Sequence, residues 1–315
     1  MAGSEIGSID EESVEDIKVV LRMRPLNKRE KDPTLIRKSL IGERAWKIIP
    51  EHESVIQMQR NQKVVAKDDR RRGRSLFTYD KVFGEDSETG QIYDVVAKEL
   101  VESSIDGRNG SIFAYGQTGS GKTHTIQGSG GSIRGGDNSA RARKDQKGIL
   151  QMVAEDLFRL IEDNEERDYV LQVSVLEVYN EEVRDLLSKK EDKRLSIRED
   201  PASGVFVNAI RREASSLNKL LSLLSGGERN RVVARTTLNK KSSRSHIIFS
   251  INIESFPAEE IGSGSGSNNR TRRSNLNIID LAGSESVRHR SAHSTEKRRK
   301  EGGSINKRYV MFLSF

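Results

Sequence analysis

Eight residues, Gly116-Gln117-Thr118-Gly119-Ser120-Gly121-Lys122-Thr123, carry the spacing G-x-x-x-x-G-K-[ST]. Their glycines let a backbone curl closely around an anion, so that successive N–H groups and the positive end of a following helix point at one phosphate chain. In that arrangement Lys122 reaches the β- and γ-phosphates of a nucleotide, and Thr123 offers its hydroxyl to Mg²⁺. The same letters also suit a flexible Gly/Ser turn with a solvated lysine. Context separates the two, because a phosphate loop must leave a strand and open a helix.

That context is present. Ser111-Ile112-Phe113-Ala114-Tyr115 reads as a short apolar strand, and the residues after Thr123 read as a helix start. Binding alone is not hydrolysis, which needs further segments that feel the γ-phosphate and change when it leaves. Two strings have the right residue types: Asn239-Lys240-Lys241-Ser242-Ser243-Arg244-Ser245-His246 and Asp280-Leu281-Ala282-Gly283-Ser284-Glu285. Each adjoins a β-rich run, residues 247–253 and 276–279, which predicts that both reach the same end of one sheet. Asp280, at a strand end, can hold Mg²⁺ through water, and Gly283 lets a bare N–H approach the γ-phosphate. Phosphoryl transfer relies on positioning and electrostatics, so none of His246, His289 and His293 is needed as a base, and His246 is expected to be structural. Taken singly, the first string also suits a polar loop with capping serines and the second an ordinary strand end.

The flanks of the loop, with Tyr115-Gly116-Gln117-Thr118 ahead of Gly121-Lys122-Thr123, resemble the phosphate loop of kinesin motor domains, and both later strings resemble kinesin switch sequences. The resemblance implies that Ser243 ligates Mg²⁺, that Ser242 contacts the γ-phosphate or its attacking water, and that Asn239 helps bind the nucleotide. It implies a salt bridge between Arg244 and Glu285 that closes the site. Arg22-Met23-Arg24-Pro25 resembles the family's adenine-side element, although a strand ending this way also suits a plain edge. Tyr93 corresponds to an aromatic that stacks on adenine, with a core tyrosine as the alternative. Glu177-Val178-Tyr179-Asn180-Glu181 followed by Asp185-Leu186-Leu187 is again similar to kinesins, and Leu195-Ser196-Ile197-Arg198-Glu199-Asp200 resembles their centromere-associated mitotic branch. The implied fold is a three-layer α/β P-loop NTPase domain, a central mixed sheet with helices on both faces. The implied activity is ATP hydrolysis, with ATP and Mg²⁺, coupled to movement on microtubules in the cytoplasm and cytoskeleton.

Composition fits a soluble globular chain. The 315 residues are 34% apolar and 32% charged, enough for one large core or two small ones. The absence of cysteine excludes disulfides, thiolate metal sites and cysteine nucleophiles, and the five histidines lack metal-ligand spacing. No apolar run has the length of a membrane span. The net charge of +7 suits a polyanionic partner, whether tubulin, nucleic acid or acidic lipid.

In chain order, residues 1–16 are expected to be an acidic mobile leader and residues 17–315 a motor domain. Strands are expected at residues 17–23, 46–49, 54–58 and 75–82, then a helix capped by Ser87 with Ile92, Val95, Val96 and Leu100 on one face. Residues 127–147 read as an inserted surface loop, after which Ile149, Val153, Leu157, Leu160 and Ile161 resume a helical face. Further expectations are a strand at 169–178, a short helix at 183–187, a hairpin at 195–208 and a helix from Ser216 ending at Gly226-Gly227. Residues 286–300 hold Arg288, Arg290, Lys297, Arg298, Arg299 and Lys300 against the single acid Glu296. In the family this is the place that touches tubulin; a solvated basic loop is the alternative.

The resemblance runs to about Lys307, after which Arg308 to Phe315 departs from the family's pattern, so the domain is expected to be incomplete and any dimerising coiled coil to lie outside. Two other functions stay open on the sequence alone. One is a kinesin-like protein that binds nucleotide or microtubules without motility. The other is a P-loop NTPase driven by nucleic acid, supported only by net charge.

Overall fold

The computed structural model describes residues 17–26, 30, 46–48, 53–58, 76–129, 147–188, 194–200, 204–238, 244–258 and 270–285. The chain divides into two units, Met1–Ser87 and Glu88–Phe315. In the first, strands β1 (Val20–Arg22) and β5 (Lys81–Phe83) pair in parallel, while β2 (Trp46–Ile48), β3 (Val55–Met58) and β4 (Leu76–Thr78) form an antiparallel sheet. The strand expected over residues 75–82 is therefore two strands. The break falls at Asp80, whose N–H donates to the Val19 carbonyl and whose carboxylate accepts the Val19 N–H, so the chain changes partners there.

The second unit holds helices α1 (Thr89–Val96) and α2 (Lys98–Ile105), strand β6 (Gly110–Ala114), and helices α3 (Lys122–Gln127) and α4 (Ile149–Glu162). Strands β7 (Arg167–Tyr179), β8 (Glu182–Asp185), β9 (Arg194–Leu195), β10 (Ile197–Asp200), β11 (Gly204–Val207) and β12 (Arg212–Glu213) follow. Helix α5 (Leu217–Leu238) and strands β13 (His246–Pro257) and β14 (Arg272–Asp280) complete it. The main sheet runs β6-β14-β13-β7-β8-β9, with β12 on β7, and β10 pairs with β11. It is mixed: β6 and β14 are parallel, and the other pairs are antiparallel.

Register explains the core. Ile112, Ile278, Phe249 and Val175 lie across four neighbouring strands, as do Gly110, Leu276, Ile251 and Val173. The period of two puts these rows on one buried face, which α2, α3 and α5 touch. On β13, the same alternation makes Ile247, Phe249, Ile251 and Ile253 buried and leaves Ser250, Asn252 and Glu254 half-exposed. Each fully buried aliphatic side chain of this face contributes about 1.5 to 3 kcal/mol.

Three helical expectations change. The helix after Ser87 is capped at Glu88, whose N–H donates to the Gln91 side chain, and it breaks at the fully buried Ala97, where φ is −118°. The helix expected at 183–187 is instead β8, the return strand of a hairpin. Asn180 and Glu181 both take positive φ, 46° and 66°, as a two-residue turn of this hand requires, and Val183 then faces Val178 across the ladder.

Helix α5 does not stop at Gly226-Gly227 but runs through both. A Cβ on Gly227 would sit 2.8 Å from a methyl carbon of Val175, so this glycine sets the close approach of α5 to β7 rather than a helix end. Of the insertion expected at 127–147, residues 130–146 lie outside the described residues. α3 closes at Gly128, α4 opens after Gly148, and a Cβ on Gly148 would strike the backbone of Gly128 and Ile126. Gln151 fastens the junction by accepting the Gly148 N–H (2.7 Å) and donating to the Gln127 carbonyl (2.8 Å).

Candidate active site

The loop of residues 116–123 connects β6 to α3, the strand-to-helix setting that the motif demands. Gly116, Gly119 and Gly121 have φ of 151°, 81° and 102°, all in the region that excludes ordinary side chains. Lys122 folds its amine back over the loop, donating to the carbonyls of Gly116 (2.8 Å) and Gln117 (3.0 Å). Burial lowers the pKa of this amine, and the nearby Asp280 and Glu285 carboxylates oppose that shift. The loop thus holds a cation that has lost water, a setting in which an anion is strongly favoured.

The parallel pairing of β6 with β14 brings the second string to the loop, with Asp280 opposite Ala114. Thr123 donates its hydroxyl to one carboxylate oxygen of Asp280 at 2.6 Å. The other oxygen, Oδ1, is buried with no hydrogen-bond partner among the described residues. The Asp280 pKa is raised, chiefly by desolvation, with Thr123, Arg231 and Lys122 acting against the shift. A hydroxyl beside a carboxylate with a spare buried oxygen fits Mg²⁺, which keeps most of its water and takes one or two protein ligands plus phosphate oxygens. The described residues contain no cluster of three or more His, Asp or Glu that would hold a metal by themselves.

The raised pKa has a stability consequence. A carboxyl whose folded pKa lies above its unfolded value contributes stability below the ordinary aspartate range, and that contribution is lost as pH rises through the raised value. Asp280→Asn is therefore expected to raise the melting temperature of the nucleotide-free protein at pH 8 by about 2 to 4 °C per kcal/mol of relieved desolvation. The gain should vanish near pH 3.5, just below the ordinary aspartate range of about 3.9. Calorimetry across pH checks this, and a variant less stable than the parent at pH 8 would contradict it.

The end of the second string closes on the loop. Glu285 accepts from both the N–H (2.9 Å) and the hydroxyl of Thr118, and the Ser284 N–H donates to the Gly116 carbonyl (3.1 Å). A Cβ on Gly283 would meet the Glu285 carboxylate and the Thr118 hydroxyl, so a larger residue here would push these two side chains from their contact. His246 is 1% exposed and accepts the Ala282 N–H at Nδ1 (3.1 Å), which makes it a tether between the start of β13 and the second string.

Other expected residues are placed as follows. Arg244 is half-buried, just ahead of β13. Asn239, Ser242 and Ser243 of the first string lie outside the described residues, as do Arg288, Arg290, Lys297, Arg298, Arg299 and Lys300. Tyr93 is 5% exposed and its hydroxyl donates to Asp156 of α4. In the first unit, Arg22 donates to the Ser87 carbonyl (3.2 Å), Arg24 pairs with Glu30, and Pro25 is exposed beside them. The contact of Glu285 with Thr118 was missed by sequence reasoning, since nothing in either string names the other.

A family model described as the kinesin motor domain matches residues 22–313. The chain is 40% identical over 296 residues to "Kinesin-like protein KIN-7D, chloroplastic" of Oryza sativa subsp. japonica, covering 93% of this chain and 25% of that protein. It is 43% identical over 234 residues to "Kinesin-related protein 11" of Dictyostelium discoideum, covering 73% of this chain and 32% of the relative. The chain thus spans only a quarter to a third of the length of these curated relatives. A solved structure described as that of a fast kinesin superposes with a TM-score of 0.73 at 28% identity, covering 90% of this chain and 71% of that one.

Proposed function

Because this chain belongs to the kinesin motor domain family, we propose that it binds Mg-ATP at residues 116–123 and couples hydrolysis to movement along microtubules. The observation that carries the reading is the meeting of Thr123, Lys122, Asp280 and Glu285 at one end of the sheet, where loop and second string touch. Loop amides and Lys122 bind the phosphates, while Thr123 and Asp280 hold Mg²⁺, the aspartate through water. An ion held by these residues would neutralise charge on the phosphates. Gly283 brings a backbone N–H towards the γ-phosphate. Ser243 joins Thr123 as an Mg²⁺ ligand, Ser242 and Asn239 contact the nucleotide, and Arg244 with Glu285 closes the site. Positioning and charge supply the rate, with no side-chain base required.

The filament partner is assigned to the basic run Arg288, Arg290, Lys297, Arg298, Arg299 and Lys300, whose charge suits an acidic surface. No helix among the described residues is long and apolar enough to cross a membrane. Reversing Arg298 and Lys300 to glutamate should weaken microtubule cosedimentation at least tenfold at low salt and flatten its salt dependence, because exposed charges are screened within about 10 Å at 0.1 M salt. If the unaltered chain instead binds single-stranded nucleic acid more tightly than microtubules at equal salt, the reading as a filament motor fails.

A further inference from the structure

Behind the site lies a buried polar chain that the chemistry above does not use. Gln127, the last residue of α3, is 2% exposed, and its side-chain amide donates to Glu228 of α5 at 3.2 Å. Glu228, 9% exposed, lies 3.6 Å from the guanidinium of Arg231 one turn on. Arg231 is 3% exposed, lies 3.7 Å from Glu177 of β7, and donates to both the carbonyl (3.3 Å) and the hydroxyl (3.2 Å) of Ser245. Ser245 follows Arg244 and precedes the tether His246.

The path therefore starts at the far end of the phosphate-loop helix and finishes at the residue that joins the first string to its strand. Every step is a hydrogen bond or ion pair in a region nearly closed to water. Such a chain costs desolvation, and hydrophobic residues of equal volume often stabilise a fold as well or better, so stability alone does not account for it. What it offers is direction, since a buried polar network rigidifies and specifies the arrangement of the segments it joins.

We propose that Gln127, Glu228 and Arg231 are positioning residues that hold Ser245, and through it Arg244, in place relative to the phosphate loop. The role rests on reading the chain as a nucleotide-driven motor domain. The two ends of α3 then serve different purposes, Lys122 and Thr123 at the start for the nucleotide and Gln127 at the finish for the string. A displaced Ser245 shifts Arg244 without touching the loop, so hydrolysis suffers while nucleotide affinity persists.

The Gln127–Glu228 contact can be broken and remade by exchange. Gln127→Glu sets two carboxylates against each other in a dry site, and the double variant Gln127→Glu with Glu228→Gln restores a carboxylate facing an amide. ATP turnover and hydrogen exchange at residues 122–129 and 244–248 are measured for the unaltered chain, both single variants and the double. Gln127→Glu should lower kcat at least tenfold with KM for ATP within about twofold, and raise exchange in both segments. The double variant should recover kcat to within about threefold and restore protection in both. Loss of kcat in step with loss of ATP affinity, or a double variant no better than the worse single, would overturn the assignment. Exchange separates the two readings: an unaltered chain that fails to turn over ATP removes the functional reading, whereas exchange at 244–248 that ignores Gln127→Glu removes the positioning role whatever the turnover.

Discussion

Lys122→Ala is expected to weaken binding of a fluorescent ATP analogue by at least a hundredfold. The amine is half-buried and satisfied by two loop carbonyls, Gly116 and Gln117, so it already stands where the loop converges. Burial depresses its pKa, which means that the charged form lacks solvation that an incoming phosphate would replace. Hydrogen bonds to charged groups contribute about 1.5 to 3 kcal/mol each, and two of them correspond to at least two decades of affinity. Titration of the analogue, with circular dichroism to confirm that the variant is folded, measures this. An affinity equal to that of the parent would remove the phosphate loop from the functional reading altogether.

Glu285→Ala is expected to leave analogue binding within about threefold of the parent while ATP turnover falls a hundredfold or more. Lys122 and the loop amides remain in place, which preserves binding. What is lost is the carboxylate that reaches across from the second string to Thr118, and with it the partner proposed for Arg244 in a closed site. If closure encloses the pair, removing one partner strands a buried charge at a cost of about 3 to 5 kcal/mol, or two to nearly four decades in rate. An exposed pair is worth about 1 kcal/mol at most, too little to gate hydrolysis. The contact with Thr118 adds a second signature. In this structure Glu285 occupies donors of the phosphate loop, so it must let go when phosphate arrives, and analogue association should become faster in the alanine variant. Stopped-flow binding and single-turnover hydrolysis separate the two effects. Exchanging the charges, Arg244→Glu with Glu285→Arg, should recover part of the turnover; unchanged hydrolysis in either single variant would exclude closure by this pair.

Legibility in the sequence followed the range of the interactions. The phosphate loop, the strand before it and the strands flanking both strings were readable, because glycine spacing and period-two alternation are local signals. Gly226-Gly227 misled because the same residue that ends a helix also permits close packing inside one. Which applies depends on Val175, some fifty residues earlier in the chain. The segment 183–187 misled because the deciding signal is the left-handed pair Asn180 and Glu181, and glutamate seldom takes that conformation. Within the site, residue types were readable but pairings were not. Glu285 with Thr118 and Gln127 with Glu228 are contacts between segments that the sheet brings together. A weak signal for the second did exist, since Glu228 and Arg231 put charges on the same helix face that carries Leu220 and Leu224 into the core.

The junction between α3 and α4 has a use in engineering. Gly128 and Gly148 meet backbone to backbone, and Gln151 clamps the seam, so the ends of the intervening insert are fixed by contacts that do not involve its own residues. Closure entropy grows only with the logarithm of length, and doubling an insert adds about 0.6 kcal/mol. A fluorescent reporter or an affinity tag grafted between residues 130 and 146 would leave the helix seam behind the phosphate loop intact, which makes this position a port for labelling the domain.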